Sequence, residues 1–174
     1  LAEACIRNHV KFVHISSGCI YDYDYKKNRP VAEDVLPLYF SLFYSRTKIY
    51  AERALEILSR KYNILIPRIR IPLDDQPHPK NLLTKLLAFK KVIDIPNSIS
   101  YLPDTTRAIQ YLIQTDATGI YNVVNKGGLR YPALLDVYKK FVPDYQYTVM
   151  NYQKLPTPRT NLILSTRKLE KTGF

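Results

Sequence analysis

The hydrophobic positions of the chain form short continuous runs that alternate with longer amphipathic stretches. The apolar runs at residues 10–16 and 63–71 predict buried strands, although a proline interrupts the second run. Residues 41–61 carry apolar side chains at helical spacing and predict the longest helix. Asp104 is expected to cap the helix that follows it. Shorter strands are predicted at residues 92–95, 98–102, 120–124 and 145–149, and further helices at residues 1–9, 80–91, 104–114, 131–141 and 165–172.

The order of these elements predicts the fold class. Strands that alternate with helices are typical of an α/β fold built on a parallel sheet. The polar segment 17–39 contains glycine and proline and is predicted to be a long loop. The proline-rich break at residues 72–79 is the best candidate for a boundary between two parts of the chain.

Composition narrows the class of protein without identifying a function. The 174 residues are 46% hydrophobic and 12% aromatic, which excludes a disordered chain. The chain has no apolar run long enough to span a bilayer, so we expect no membrane partner. Cys5 and Cys19 have neither the number nor the spacing of a disulfide framework or a zinc site. The three histidines show no metal-binding spacing, so no metal is expected.

The net charge of +11 comes from 26 Lys and Arg against 15 Asp and Glu. Such an excess suggests a nucleic-acid binder, which would carry a basic stripe with interleaved aromatic residues and would bind in a salt-sensitive way. The basic residues are instead spread along the whole chain. A diphosphate ligand and a phosphate-bearing cofactor would also account for a local positive site, so we expect no nucleic-acid partner.

The first motif with chemical meaning lies near the start of the predicted long helix. Tyr44 and Lys48 are four positions apart and therefore share one helix face. A phenol is a poor acid at pH 7, but a neighbouring ammonium lowers the pKa of a phenol. Such a pair can exchange a proton with a carbonyl or alcohol oxygen. Taken alone, the same spacing is also typical of a solvated helix face.

A second motif precedes this pair by 27 positions. Ser17 stands at the end of the first predicted strand. Open parallel sheets place their ligands at the carboxyl ends of strands, where a serine hydroxyl can hold a substrate oxygen. A strand that ends in a serine, followed by a helix with the YxxxK spacing, is a more specific pattern than the YxxxK spacing alone.

In this order the chain resembles the extended short-chain dehydrogenase/reductase family, whose members carry a Ser/Thr–Tyr–Lys triad. The resemblance makes Ser17, Tyr44 and Lys48 the triad, with Tyr44 as proton donor and Lys48 holding the nicotinamide ribose. Within the family, the chain is similar to the nucleotide-sugar 4-reductases near dTDP-4-dehydrorhamnose reductase, above all to the bifunctional 3,5-epimerase/4-reductases that make UDP-L-rhamnose. The stretches that carry this likeness are GCIYDYD, FYSRTK, RIRIP, NLLTK, KVIDIPNS, GIYNVVN and PRTN.

The same resemblance implies an epimerisation pair, Cys19 and Lys85. Epimerisation beside a ketone removes a proton from one face of the sugar and returns one to the other, which requires an acid/base group on each side. Ser17 and Cys19 are two positions apart, so in an extended backbone they point the same way. The alternatives are that Cys19 is a small buried residue and that Lys85 is a solvated helix charge.

Further residues fall in stretches that line the nucleotide-sugar site in this family. Asn81, Asn97 and Arg159 are expected to contact the substrate, and Arg159 is suited to a diphosphate. Pro72 lies where the family packs the nicotinamide. For the first three, a loop cap or a surface charge is an equally good interpretation.

The resemblance implies a cytoplasmic NADPH-dependent enzyme, with NADH as the other cofactor option, and a homodimer is left open. Its substrate would be a nucleoside-diphosphate 4-keto-6-deoxyhexose, converted to the L-rhamnose nucleotide by two epimerisations and one reduction. Three alternatives remain: a reductase without epimerase activity, a non-catalytic regulatory member of the fold, and the nucleic-acid binder described above. UDP and dTDP substrates are not distinguished.

The family's Gly-rich dinucleotide loop is not formed by the five glycines of this chain. We therefore expect a Rossmann-like, doubly wound parallel sheet that lacks its N-terminal part, and a piece that is inactive alone. Residues 1–72 and 104–126 are assigned to the NADP-binding Rossmann domain. Residues 73–103 and 127–174 are assigned to a smaller nucleotide-sugar-binding region.

Overall fold

The computed structural model describes residues 1–22, 29–155 and 160–174. Helices and strands alternate along most of the chain. In chain order the elements are α1 (Ala2–Arg7), β1 (Phe12–Val13), β2 (Ser16–Ser17), α2 (Phe43–Ser59), β3 (Ile64–Ile69), β4 (Pro72–Leu73), α3 (Leu82–Phe89), β5 (Lys91–Ile93), β6 (Ser100–Tyr101), α4 (Leu102–Gln114), β7 (Gly119–Asn122), α5 (Tyr131–Lys139), β8 (Thr148–Met150), a 3-10 helix (Tyr152–Lys154) and α6 (Arg167–Glu170).

The main sheet is entirely parallel. Its central strand is β3, with β1 and β2 in line on one side and β7 on the other. Two smaller parallel pairs, β4 with β6 and β5 with β8, lie outside this sheet. The predicted α/β class with a parallel sheet is confirmed.

Pro67 lies in the middle of the central strand, although prolines are usually confined to sheet edges. On one side the pairing runs unbroken through Pro67 and Tyr121. On the other side it stops after Val13 and resumes at Ser16. Because proline has no N–H to donate, this gap opposite Pro67 is expected, and it divides one predicted strand into β1 and β2.

Helices cover both faces of the main sheet, because neighbouring residues of β3 point to opposite sides. Leu65 packs with Ala108 and Leu112 of α4 and Leu169 of α6. Ile64 and Ile66 pack on the other face, against Leu55 of α2 and side chains of α1.

A further hydrophobic cluster lies around the small β5–β8 sheet. Its buried members come from α3, β5 and α5, namely Leu82, Leu86, Val92 and Leu135. The division of the chain into a Rossmann part and a nucleotide-sugar part stays a prediction.

The start of α4 differs from the expectation. The helix begins at Leu102, so Asp104 lies in its first turn and is not the cap. Pro103 explains the earlier start, because proline is well suited to the first helical positions. The Asp104 carboxylate instead accepts hydrogen bonds from Arg107 and from Asn125, three residues after β7.

Candidate active site

The candidate site lies where β2 ends and α2 begins. Ser17 is 6% exposed, and its hydroxyl oxygen accepts a hydrogen bond from the N–H of Cys19 at 3.1 Å. Ser45, fully buried in the first turn of α2, donates its hydroxyl hydrogen to the carbonyl of Cys19. These two bonds fix the turn after β2 against the start of the helix. The structure thereby brings Ser17 and Cys19 to the helix that carries Tyr44 and Lys48.

Tyr44 and Lys48 lie one turn apart on α2, as their spacing predicts. The Lys48 ammonium donates a hydrogen bond to the carbonyl of Ile15 at 2.9 Å and lies 5.9 Å from the centre of the Tyr44 ring. The Tyr44 side chain is 50% exposed, and its hydroxyl has no hydrogen-bond partner among the described residues. Lys48 is thus held by the sheet, while the phenol remains available to a ligand.

Arg70 contacts Cys19 from the end of the central strand. The guanidinium is 3% exposed, and one of its terminal nitrogens donates to Cys19 Sγ. The same nitrogen donates to Thr160 Oγ1 at 3.0 Å, and the other nitrogen donates to the Thr160 carbonyl.

Asn97 belongs to the same buried network. Its amide oxygen accepts from Arg70 at 3.2 Å and from the N–H of Leu162 at 3.1 Å. Its amide nitrogen donates to Asn161 Oδ1 at 2.9 Å. The side chain is fully buried, so its described role is to join Arg70 to the segment that follows residue 159.

Asn81 and Lys85 lie on a different element, at the start of α3. The Asn81 amide oxygen caps this helix by accepting from Leu83 N–H at 3.3 Å, and its amide nitrogen donates to the carbonyls of Asp74 and Gln76. Asn81 thus shows the loop-cap arrangement that the sequence left open. Lys85 is exposed and makes no described contact with Cys19.

The last two predicted site residues have different outcomes. Pro72 opens β4 directly after the central strand, at the same end of the sheet as Ser17. Arg159, expected at the diphosphate, lies outside the described residues.

A buried ion pair joins two of the elements that carry the site. Arg68 of β3 and Glu52 of α2 are 1% and 2% exposed, and two guanidinium nitrogens reach the carboxylate at 2.6 and 3.0 Å. The Ser16 hydroxyl donates to the same carboxylate at 2.6 Å. This pair fixes α2 against β2 and β3, and so fixes the helix face that carries Tyr44.

The pKa values of two nearby side chains are displaced. Burial lowers the pKa of His14, and the positive charge of Lys48 adds to that shift while Glu52 opposes it. Burial raises the pKa of Tyr21 well above its ordinary value, although the Arg68 guanidinium 5.3 Å from its ring opposes the shift. Tyr21 therefore stays neutral and donates to the Val35 carbonyl at 3.0 Å.

Arg70, Ser45 and Glu52 are not among the site residues predicted from the sequence. The indication for Arg70 was present in the run of residues 63–71, where two arginines alternate with isoleucines in a predicted buried strand. Charged side chains in such a strand require partners inside the protein. Ser45 and Glu52 gave no comparable indication, because serine and glutamate are ordinary residues on a helix.

The fold and these side chains define a class of protein. The fold is a parallel α/β sheet of Rossmann type, and a Tyr–Lys pair follows a serine at a strand end. Such a site can protonate or deprotonate an oxygen next to a redox cofactor. The half-exposed phenol has no hydrogen-bond partner among the described residues and lies beside a lysine held by the sheet, which fits the nicotinamide end of a dinucleotide.

Comparison with known proteins agrees with this class. Residues 1–73 match the model of the NAD dependent epimerase/dehydratase family. The chain is 30% identical over 187 residues to a bifunctional dTDP-4-dehydrorhamnose 3,5-epimerase/dTDP-4-dehydrorhamnose reductase of Arabidopsis thaliana, covering all of this chain and 60% of that protein. It is 29% identical to a trifunctional UDP-glucose 4,6-dehydratase/UDP-4-keto-6-deoxy-D-glucose 3,5-epimerase/UDP-4-keto-L-rhamnose-reductase of the same plant, covering 98% of this chain and 27% of that protein.

Solved structures share the fold. The UDP-rhamnose synthase of Acanthamoeba polyphaga mimivirus superimposes with a TM-score of 0.88 at 23% identity, covering 99% of this chain and 62% of that one. The dTDP-4-dehydrorhamnose reductase of Bacillus anthracis, solved with NADP, superimposes with a TM-score of 0.78 at 19% identity. The match covers 98% of this chain and 62% of that one.

The chain is therefore similar to nucleotide-sugar epimerases and reductases, and the resemblance predicted from its motifs is confirmed. It spans about 60% of the bifunctional relative and about a quarter of the trifunctional one. None of the helices in the described ranges is long and apolar enough to cross a membrane.

Proposed function

We propose that the full-length protein is an NADPH-dependent nucleotide-sugar 3,5-epimerase/4-reductase. Its substrate is a UDP- or dTDP-linked 4-keto-6-deoxyglucose and its product is the L-rhamnose nucleotide. The observation that carries the proposal is a pair of hydrogen bonds. Cys19 N–H bonds Ser17, and Ser45 bonds the Cys19 carbonyl, so the turn is held against the helix that carries Tyr44 and Lys48. This connection supports the proposal, because it joins the proposed reductase residues and one proposed epimerase residue in one continuous structure.

In the reduction, Tyr44 is the proton donor. The hydride that reduces C4 comes from the nicotinamide when the cofactor is bound. The Ser17 hydroxyl orients the ketone oxygen, and the Tyr44 hydroxyl delivers the proton that completes the alcohol. Lys48 stabilises the resulting phenolate and would hold the ribose of the cofactor, and Pro72 would pack beside the nicotinamide. We propose NADPH in preference to NADH, and this choice is supported by the NADP bound to the Bacillus anthracis reductase of the same fold.

In the epimerisation, Cys19 and Lys85 act from opposite faces of the sugar. One of them removes the proton from the carbon next to the ketone, and the electron pair moves into the enolate. The other returns a proton to the same carbon from the opposite face, first at one of C3 and C5 and then at the other. Proton exchange with water restores both groups. Asn81, Asn97 and Arg159 are proposed to contact the rest of the nucleotide sugar, with Arg159 at the diphosphate.

The reductase half is tested by NADPH consumption with the 4-keto-6-deoxyglucose nucleotide. We expect Tyr44→Phe to lower the turnover number by about 10²–10⁴-fold, which is the usual contribution of a positioned proton donor. Tyr50→Phe is the matched control, because Tyr50 is an exposed tyrosine of the same helix. Equal turnover in Tyr44→Phe and Tyr50→Phe, or no NADPH consumption by the native protein, would refute the enzyme proposal.

The epimerase half is tested by deuterium uptake from D2O into the 4-keto sugar, without NADPH. Cys19→Ala and Lys85→Ala are each expected to abolish uptake at C3 or C5. Cys5→Ala and Lys90→Ala serve as controls, because Cys5 belongs to α1 and Lys90 follows α3, and neither is part of the Ser17 turn. Full uptake and full conversion in either Cys19→Ala or Lys85→Ala would refute the role proposed for that residue. Reduction without any uptake by the native protein would make it a reductase without epimerase activity.

A further inference from the structure

Arg70 differs from an ordinary structural arginine in the partners it has. Its guanidinium is 3% exposed, yet no carboxylate among the described residues contacts it. Its acceptors are the Cys19 sulfur, the Thr160 hydroxyl and carbonyl, and the Asn97 amide oxygen. Of these, the Cys19 thiol alone can become an anion.

A buried charge without an opposite charge is costly, so such charges are usually paired. Arg68, two positions earlier, follows that rule through Glu52. The Nε of Arg70 has no hydrogen-bond partner among the described residues, so the guanidinium is also incompletely satisfied by neutral groups. A thiolate at Cys19 would supply the missing negative charge.

The residue between Ser17 and Cys19 makes this contact sterically feasible. A Cβ atom at Gly18 would lie 3.3 Å from Arg70 Cδ and 2.9 Å from a methyl carbon of Leu164. Any side chain at Gly18 would therefore push against the Arg70 stem. The glycine lets the guanidinium reach the sulfur while the turn stays bonded to α2 through Ser45.

We propose that Arg70 is a positioning residue for Cys19, stabilising its thiolate and aiming its sulfur at the sugar ring. The inference rests on the proposed role of Cys19 in epimerisation. In that step the thiolate takes the proton from the carbon beside the ketone, the C–H electron pair enters the enolate, and the sulfur becomes a thiol. Arg70 remains protonated throughout and transfers nothing.

The test is the rate of iodoacetamide alkylation at Cys19 in the full-length protein, measured against pH in a Cys5→Ser background. Arg70→Met is expected to lower the rate at pH 7 about tenfold, as loss of an adjacent positive charge predicts. Arg70→Lys keeps the charge and should restore most of the rate. Arg53→Met is the control, because it removes the same charge from a half-buried arginine that bonds Pro37.

An Arg70→Met rate within twofold of the native rate, in a protein with native circular dichroism, would overturn the proposal. A second readout needs no variant: in the native protein, alkylation of Cys19 should reach half its maximal rate at a lower pH than alkylation of Cys5. Coincident pH profiles would also overturn it. Neither readout uses substrate, so a failure of the epimerase proposal would appear separately, as full deuterium uptake by Cys19→Ala.

Discussion

Arg68 and Arg70 lie two positions apart at the end of the same strand, and both side chains are almost fully buried. Arg68 meets the carboxylate of Glu52, which also accepts from Ser16. Arg70 meets a thiol and three neutral oxygens. Among the described residues, a carboxylate balances the charge of Arg68, whereas none balances the charge of Arg70.

This difference separates a structural region from a proposed functional one. Burial alone would lower the pKa of Arg68, but the hydrogen bonds and charge of Glu52 raise it, so the Arg68 guanidinium stays charged. The Arg68–Glu52 pair holds α2 on the sheet, and both of its charges are already balanced within the pair. The incomplete surroundings of Arg70, next to Cys19, are what a site requires if a charge is to appear there during a reaction.

The largest expected effect is on stability at the structural arginine. Arg68→Met leaves the Glu52 carboxylate buried without its partner and should lower the free energy of unfolding by about 3–5 kcal/mol. Arg70→Met leaves no buried carboxylate without its partner and should lower the free energy of unfolding by about 1 kcal/mol. Urea denaturation of both variants measures the contrast.

The double variant Arg68→Met/Glu52→Leu sharpens the same contrast. Because it removes both charges, most of the lost stability should return. Equal losses in Arg68→Met and Arg70→Met would show that the two arginines are energetically alike and would break the comparison.

Ser16→Ala tests whether the carboxylate of the structural pair depends on its third hydrogen bond. Loss of a buried hydrogen bond to a charged group should cost about 1.5–3 kcal/mol. Ser17→Ala, one position later, should cost less, because among the described residues the Ser17 hydroxyl accepts only from a backbone N–H. Chemical denaturation of the pair measures the difference, and the reverse order would contradict the account.

Asn81 is predicted at the substrate site but is observed as a helix cap. Asn81→Ala should lower stability by about 1 kcal/mol, whereas Asn81→Asp should keep the cap. If Asn81 also contacts substrate, Asn81→Asp will raise KM at native stability. An unchanged KM in Asn81→Asp would assign the residue to structure alone.

The smallest expected effect is a pH dependence at His14, beside Lys48. Its pKa is lowered in the folded state, so the unfolded chain binds more protons near the ordinary value of about 6.5. This contribution to stability is therefore present at higher pH and is lost as the pH falls through that region. His14→Gln should show a smaller drop in Tm between pH 8 and pH 5.5 than the native protein. An identical drop in both would contradict the assignment.

Much of the fold followed from the spacing of apolar residues. The helix α2 and the strand β3 lie within the predicted stretches, because a buried face imposes its period on the sequence. The strand β4 was not predicted, since two residues carry no period. The start of α4 was placed too late, because the preference of Pro103 for a helix start was not weighed against the capping tendency of Asp104.

The candidate site was less accessible to sequence reasoning. Tyr44 and Lys48 could be found because one helical turn separates them in the sequence. The contacts of Arg70 with Cys19 and Thr160 join residues 51 and 90 positions apart, and no local pattern encodes such pairs. The roles of Lys85, Asn97 and Arg159 toward a substrate remain predictions.

The most direct test of the central claim is one incubation in D2O with the 4-keto-6-deoxyglucose nucleotide and NADPH, followed by NMR of the product. The account predicts an L-rhamnose nucleotide carrying deuterium at C3 and C5, and a deuterated 4-keto sugar without reduction in Tyr44→Phe. A reduced product without solvent deuterium at C3 and C5 would contradict the coupling of epimerase and reductase in one site.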